Sequence, residues 1–280
     1  MLNGTLQRLT AFSRTEAGGN PAGVWIGDRF PEDADMQALA AEVGYSETAF
    51  VVPATGATRQ VRYFSPEAEV PFCGHATIAT GVALANAEGD GEYSFSTQAG
   101  EVRVQTQSTA GLRTAALTSV APHYSPAPAD LLNLALEALN WSPTDIDQTI
   151  PPAIAFAGAS HLVIAVTHKT RLDALAYDFD ALKTIMLEAG LTTLQLIWRK
   201  DAQTFHVRNP FPVGGVVEDP ATGAAAAALG GYLRDAGLVS APAALLIHQG
   251  EVMGRPSELN VHIPATGGIV VSGTAVPITA

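Results

Sequence analysis

Two stretches of this sequence have the composition of helices that are apolar on every face, which limits how the chain can fold. Residues 76–87 and 221–233 contain almost only small or apolar side chains. A helix that is apolar all round is buried all round. Strand-forming sequence surrounds both stretches, for example at 61–64 and 93–97. We therefore predict an α+β fold with two similar halves, each a mixed sheet or barrel wrapped around a central helix.

Each of these helices follows a similar strand-to-helix turn. The first turn is Glu69-Val-Pro-Phe-Cys-Gly-His75 and the second is Glu218-Asp-Pro-Ala-Thr-Gly-Ala224. A helix start presents unpaired backbone N–H groups and a partial positive charge, which suits a small anion such as a carboxylate. Gly74 and Gly223 lack side chains, so the backbone there can approach a ligand closely. The two turns are therefore candidate substrate-binding segments.

Three further helices are predicted from an apolar stripe at helical spacing, at 32–43, 130–139 and 179–189. The Pro- and Ser-rich segment 119–129 is predicted as an interdomain linker. We accordingly place an N-terminal domain at 1–118 and a C-terminal domain at 125–265. The strand-like residues 266–280 are expected to return to the first domain.

Composition excludes several classes of function. The net charge is −12 and no basic stripe is visible, which argues against a nucleic-acid partner. No apolar run reaches the length that spans a membrane. The amino terminus does not resemble a signal peptide, so a cytoplasmic protein is expected.

Glu47 and His75 are the main candidates for acid–base chemistry. Glu47 lies between a predicted helix that ends at Gly44 and an apolar strand from Thr48, a junction from which a carboxylate can project into a cleft. One carboxyl group can take a proton from one carbon and return it to another. His75 begins a buried helix, where a neutral ring can donate a hydrogen bond to a substrate or simply cap the helix.

Cys73 has two interpretations. It is the one cysteine of the chain, so an internal disulfide and racemisation by two opposed thiols are both excluded. A nucleophilic pair of Cys73 with His75 remains open. The alternative is a small buried thiol that packs at the bend.

The remaining polar candidates also keep two interpretations each. Asp219 precedes Pro220 and suits either a helix N-cap or a substrate contact. Asn20 and Ser46 either close turns or present polar groups to a substrate. The other histidines show no metal-ligand spacing. A glycine-rich dinucleotide motif and the Gly-x-Ser-x-Gly hydrolase motif are both absent.

Five motifs, in this order, resemble the PhzF family of phenazine-biosynthesis-like isomerases, which are related in fold to diaminopimelate epimerase. They are Gly19-Asn-Pro-Ala-Gly-Val24, Ser46-Glu-Thr-Ala-Phe-Val51, Phe64-Ser-Pro-Glu-Ala-Glu-Val-Pro-Phe-Cys-Gly-His-Ala-Thr77, Glu218-Asp-Pro-Ala-Thr-Gly223 and Gln249-Gly-Glu-Val-Met-Gly-Arg-Pro-Ser257.

The resemblance implies two pseudo-symmetric domains with the active site in the cleft between them, no cofactor, no metal, and commonly a homodimer. The best-known member isomerises trans-2,3-dihydro-3-hydroxyanthranilate by moving a proton between ring carbons. The family's catalytic glutamate falls on Glu47, its paired histidine on His75 and its substrate-holding aspartate on Asp219. This chain has Ala224 where the phenazine member has a serine, so a hydroxyl that could bind a substrate oxygen is absent at this position.

The sequence therefore predicts a cofactor-independent isomerase for a small carboxylate-bearing substrate, with Glu47 as general acid and base. Asn20, Ser46, Cys73, Gly74, Gly223 and Ala224 are the expected substrate-side residues. The alternatives are a cofactor-independent epimerase, a Cys73-dependent hydrolase or lyase, and a non-catalytic binding protein of the same fold.

Overall fold

The computed structural model describes residues 3–56, 58–109 and 111–279, and the chain divides into two compact units. The first unit is the chain up to Thr118 together with Ser272 onward, and the second unit is Ser119–Val271. In the described part of the chain no helix is both long enough and apolar enough to cross a membrane.

The first unit is a closed barrel of eight strands. Eight of the following nine strands form the barrel, and the short β5 lies beside it: β1 (Gly4–Ala11), β2 (Asn20–Gly27), β3 (Glu47–Pro53), β4 (Thr58–Phe64), β5 (Glu69–Val70), β6 (Glu92–Thr97), β7 (Gly100–Thr109), β8 (Leu112–Thr118) and β17 (Val270–Pro277). The barrel runs β1-β2-β3-β4-β6-β7-β8-β17, and β17 pairs back with β1, while β5 pairs only with β4. Because the barrel is closed, each of these eight strands has a neighbour on both sides and none is an edge strand.

The helix α2 (Gly74–Glu88) fills the barrel, and α1 (Asp33–Val43) packs outside it. Side chains of α2 from His75 to Ala85 are all buried, which confirms the predicted helix that is apolar on every face. Gly81 lies so close to the wall that an added Cβ would be 2.7 Å from a methyl of Val104. The helix can therefore pack against the barrel only because several of its residues are small.

The second unit repeats this plan. Its strands are β9 (His123–Pro126), β10 (Ala153–Phe156), β11 (Ser160–Ala165), β12 (Thr193–Arg199), β13 (Thr204–Phe211), β14 (Val216–Asp219), β15 (Ala243–Gln249) and β16 (Ser257–Ile263), and its helices are α3 (Ala129–Ala138), α4 (Lys169–Asp173), α5 (Phe179–Glu188) and α6 (Gly223–Asp235). The sheet runs β9-β10-β11-β12-β13-β15-β16, with β14 beside β13. The helix α6 is buried along most of its length, as its composition predicts.

The internal repeat is visible in the strand directions. In the first unit β2 lies parallel to β3 and β4 parallel to β6, and their neighbours are antiparallel. In the second unit β11 lies parallel to β12 and β13 parallel to β15. Each second parallel pair is connected through the buried helix of its unit. The predicted α+β fold with two pseudo-symmetric halves is confirmed.

One detail of the predicted organisation is wrong. The Pro- and Ser-rich segment 119–129 is not a linker throughout, because His123–Pro126 forms β9 and pairs antiparallel with β10. The side chains of β9 are exposed. Proline is tolerated at such strand positions, so this composition does not exclude a strand.

Candidate active site

Glu47 is held at the mouth of the first unit's barrel by the strand that follows it. It is the first residue of β3, one residue earlier than the strand predicted from Thr48. The helix α1 ends at Gly44 in the left-handed conformation, as predicted, with its N–H bonded to the Ala40 carbonyl. The residues from Thr48 to Val52 are buried, and all of them except Thr48 are apolar. This anchor leaves the Glu47 side chain 19% exposed at the strand's start.

The first turn of α2 supplies the other two groups of the site. Cys73 is the N-cap residue and His75 lies in the first turn. Thr77 Oγ1 donates to the Cys73 carbonyl at 2.7 Å and also contacts the hydroxyl of the fully buried Tyr63 at 2.7 Å. Burial raises the pKa of Tyr63, so its hydroxyl stays protonated and available as a hydrogen-bond donor. These two contacts fix the position of the turn.

Glu47, Cys73 and His75 form one contact cluster. The Cys73 Sγ lies 3.4 Å from Glu47 Oε2 and 3.3 Å from His75 Nδ1. Glu47 Oε2 lies 3.5 Å from His75 Nε2. Cys73 and His75 are both more than nine-tenths buried. A carboxylate, a thiol and an imidazole thus share one small, partly accessible site.

Asn20 and Ser46 orient the imidazole of His75. Asn20 Nδ2 lies 3.2 Å from Nδ1, and Ser46 Oγ lies 3.4 Å from Nε2. In the tautomer that carries its proton on Nε2, Nδ1 accepts a hydrogen bond from the Asn20 amide. That tautomer places the Nε2 proton on the side of Glu47 Oε2. The two residues predicted as polar groups near the substrate contact the predicted histidine instead of merely closing turns.

The second turn is organised around Gln249 and Thr222. Gln249 Nε2 donates to the Asp219 carbonyl at 2.7 Å, and its Oε1 accepts from the Thr222 N–H at 3.0 Å. Thr222 Oγ1 donates to Asp219 Oδ2 at 2.6 Å. The N-cap of α6 is Thr222, so the interpretation of Asp219 as the N-cap and Pro220 as the first helical residue is wrong. Asp219 ends β14 and accepts a hydrogen bond from the actual N-cap side chain.

The glutamate that opens each turn is paired with an arginine of the neighbouring strand. Arg62 of β4 donates to both carboxylate oxygens of Glu69, each at 2.6 Å. Arg208 of β13 likewise donates to both oxygens of Glu218. Bidentate pairs of this kind fix orientation as well as charge. These two glutamates hold their turns in place and are not candidates for the chemistry.

The comparisons with known proteins agree with this architecture. A family model described as phenazine biosynthesis-like protein, PhzC-PhzF, matches residues 9–280. The chain belongs to the phenazine biosynthesis-like (PhzF) family. It is 30% identical over 279 residues to the uncharacterized isomerase YddE of Escherichia coli, covering 96% of this chain and 94% of that protein.

Two solved structures, one from the PhzF family and one described as a probable proline racemase, have a fold similar to that of this chain. A PhzF-family phenazine biosynthesis protein of Bacillus anthracis matches with a TM-score of 0.87 and 23% identity, covering 100% of this chain and 98% of that one. A probable proline racemase from Agrobacterium radiobacter matches with a TM-score of 0.68 and 13% identity, covering 99% and 91%. At these identities the likeness concerns the fold alone.

Within this PhzF-family chain, the sequence-predicted residues fall into two groups. The structure brings Glu47, His75, Cys73, Asn20 and Ser46 into contact in the first unit, with Gly74 as the first residue of α2. Asp219, Gly223 and Ala224 gather at the start of α6 in the second unit.

Sequence reasoning missed the roles of Thr222 and Gln249 and the contact of Cys73 with Glu47. The motif that begins at Gln249 was the one available signal for Gln249. For the contact of Cys73 with Glu47 there was no signal, because the two residues are 26 positions apart.

The second unit has a buried polar cluster at the position that corresponds to Glu47. Thr193 begins β12 as Glu47 begins β3, and both strands lie parallel to the strand before them. Thr193 Oγ1 contacts His161 Nδ1 at 2.8 Å and accepts from Asn209 Nδ2 at 3.2 Å. All three residues are at most 1% exposed, and burial lowers the pKa of His161 to about 3. The second unit's cluster is therefore sealed from solvent.

Proposed function

We propose that this protein is an isomerase that moves a proton between two carbons of a small carboxylate-bearing substrate. Membership of the PhzF family and relatives named as isomerases support an isomerase-type enzyme. The observation that supports proton transfer by Glu47 is its partly exposed carboxylate, which contacts two buried partners, His75 and Cys73.

Glu47 acts as general base and then as general acid. Its carboxylate takes a proton from a carbon next to an unsaturated or carbonyl-bearing carbon. The electron pair of the broken C–H bond shifts the double bond along the substrate. The same carboxyl group then delivers a proton to the carbon at the far end of that shift, so no external oxidant or reductant is required.

His75 and Cys73 stabilise the charge on Glu47 and orient the substrate. In the tautomer that carries its proton on Nε2, His75 directs this proton to the side of Glu47 Oε2, and the Asn20 amide donates to Nδ1. Asp219, Gly223 and Ala224 are proposed as further substrate contacts. The substrate carboxylate is proposed to bind at the start of α2, where the first turn carries no acidic residue and Cys73 makes no capping hydrogen bond with its side chain.

The test is isotope exchange in deuterated water, with candidate carboxylates screened for deuterium at carbon. Glu47→Gln keeps the size of the side chain and removes its basicity, and we expect exchange to fall by at least ~100-fold. Glu42→Gln on the exposed face of α1 is the matched control and should retain full exchange. Full exchange by Glu47→Gln on an identified substrate would refute the proposal.

A second candidate is a hydrolase or lyase that uses Cys73 as nucleophile, favoured by its 3.3 Å contact with His75 Nδ1. Cys73→Ser separates the two functions. Loss of turnover in Cys73→Ser with retention in Glu47→Gln supports the thiol mechanism, and the reverse result supports Glu47. A non-catalytic binding protein would show thermal stabilisation by a ligand without any exchange at carbon.

A further inference from the structure

The cluster of Glu47, Cys73 and His75 has a second chemical capacity that proton transfer does not use. A carboxylate, a thiolate and an imidazole are the three side-chain types that bind Zn²⁺ in proteins. One donor atom from each of these residues lies within 4.8 Å of the other two. No residue spacing in the sequence indicates this set, because Glu47 reaches the other two through the pairing of strands.

The spacing of the donor atoms fits a tetrahedral metal ion. Bonds of about 2.3 Å to sulfur and about 2.0 Å to nitrogen and oxygen separate the ligand atoms by roughly 3.3 to 3.5 Å. The cluster has Cys73 Sγ to Glu47 Oε2 at 3.4 Å, Glu47 Oε2 to His75 Nε2 at 3.5 Å, and Sγ to Nε2 at 3.9 Å. Cys73 Sγ lies nearer to Nδ1, at 3.3 Å, than to Nε2, so the His75 ring has to rotate until Nε2 faces the thiol before the triangle of ligands is complete.

We propose that Glu47, Cys73 and the Nε2 atom of His75 form a three-ligand Zn²⁺ site with its fourth position open. Three protein ligands and one open position are the arrangement of accessible zinc sites rather than closed structural ones. The 19% exposure of Glu47 provides the entry side. The site does not depend on the proposed isomerase activity, because it uses only the geometry and the donor types.

Binding rearranges two protons. The Cys73 thiol loses its proton to solvent as the sulfur bonds to zinc. The ring proton of His75 leaves Nε2, which donates its lone pair to the metal, and a proton is held on Nδ1 instead. Asn20 then presents its amide oxygen to Nδ1–H after a half-turn of the amide, the outer-sphere support that zinc-bound histidines usually have.

Zinc binding and proton transfer by Glu47 exclude one another. The carboxylate oxygen and the imidazole nitrogen that would act on a substrate are both occupied by the metal. If the isomerase proposal holds, Zn²⁺ inhibits exchange at carbon and a chelator restores it. Direct binding is measured without any substrate, so failure of the isomerase proposal would leave the zinc proposal intact.

The experiment titrates Zn²⁺ into the chelator-treated full chain against a chromophoric indicator, with Co²⁺ as a spectroscopic substitute. We expect one ion per chain and a cobalt–thiolate charge-transfer band in the near ultraviolet. Cys73→Ser abolishes the band and, like His75→Gln, weakens zinc binding by roughly 100-fold or more, at least the loss seen for an outer-sphere partner. His123→Gln, an exposed histidine elsewhere, leaves both unchanged.

A measurement on the wild-type chain tests the proposal even if the variants fail to fold. Because Cys73 is the one cysteine, alkylation by iodoacetamide reports on it alone. Zn²⁺ should slow this alkylation by roughly 10-fold or more, because the metal occupies the thiolate that would react, and excess chelator should reverse the protection. Unchanged alkylation at saturating Zn²⁺, or zinc binding of wild-type strength in folded Cys73→Ser, would overturn the proposal.

Discussion

The sealed histidine of the second unit predicts a specific loss of stability in mild acid. His161 is fully buried on β11, and its Nδ1 contacts Thr193. Within the described residues, its Nε2 has no hydrogen-bond partner. Burial therefore lowers the pKa of His161 to about 3, whereas an unfolded chain gives histidine a pKa of about 6.5.

The sign and the size of the pH effect on unfolding free energy follow from the difference in proton binding between the native and the unfolded chain. Below pH 6.5 the unfolded chain binds a proton at this position and the native chain does not, so the unfolded state is favoured as the pH falls. The contribution of His161 to stability is complete above pH 6.5 and is lost progressively down to about pH 3. Between pH 7.5 and pH 5.0 the loss from this one group amounts to about 2 kcal/mol of unfolding free energy.

Urea unfolding of the wild type and of His161→Gln at a series of pH values measures this contribution. Between pH 7.5 and pH 5.0, the unfolding free energy of the wild type should fall by about 2 kcal/mol more than that of His161→Gln. Ile164→Val on the same strand is the control: it lowers stability by about 1 kcal/mol and leaves the pH profile parallel to that of the wild type.

A second readout needs no variant. The imidazole resonances of His161 in the folded wild type should not titrate between pH 7.5 and pH 5.0. Parallel profiles of wild type and His161→Gln, or a His161 resonance that titrates in this range, would refute the argument from burial.

Two further stability differences follow from the side chains that hold the turns. Thr77→Val leaves the buried hydroxyl of Tyr63 without this partner and should lower the unfolding free energy by about 1–3 kcal/mol. Thr77→Ser keeps the hydroxyl and should lower it less. Equal losses of the two variants in urea unfolding would contradict this role of Thr77. Arg208→Leu leaves the buried carboxylate of Glu218 uncompensated and should cost about 3–5 kcal/mol. Arg113→Leu, whose ion pair is partly exposed, should cost less than about 1 kcal/mol, and similar losses for both arginine variants would contradict the role of burial.

The central helices could be predicted because their composition leaves them no solvent-facing side. The helix α2 has no polar face to expose, so burial follows from the sequence alone. The end of α1 at Gly44 was equally predictable, since a glycine there accepts the left-handed conformation. The strand β9 was not, because Pro and Ser indicate a turn or linker unless the neighbouring strand is known.

The candidate site was predictable in its residue types but not in its contacts. A carboxylate and a histidine in family motifs identified Glu47 and His75. That Cys73 contacts both depends on how β3 pairs with β2 and on where α2 starts, and neither is encoded in local spacing. His161 showed no signal in the sequence, because its burial depends on the whole sheet of the second unit.

Corresponding backbone positions in the two units carry different side chains, and these side chains differ in their exposure to solvent. Glu47 and Thr193 each begin a strand that lies parallel to its predecessor. In the first unit the side chain at this position is the partly exposed carboxyl group of Glu47, which contacts the imidazole of His75. In the second unit Thr193 is 1% exposed and its partner His161 is held neutral by burial. Thr193 carries a hydroxyl instead of a carboxyl group and lies among buried partners, so the proposed acid–base chemistry belongs to Glu47, and its counterpart Thr193 contributes to packing of the sheet.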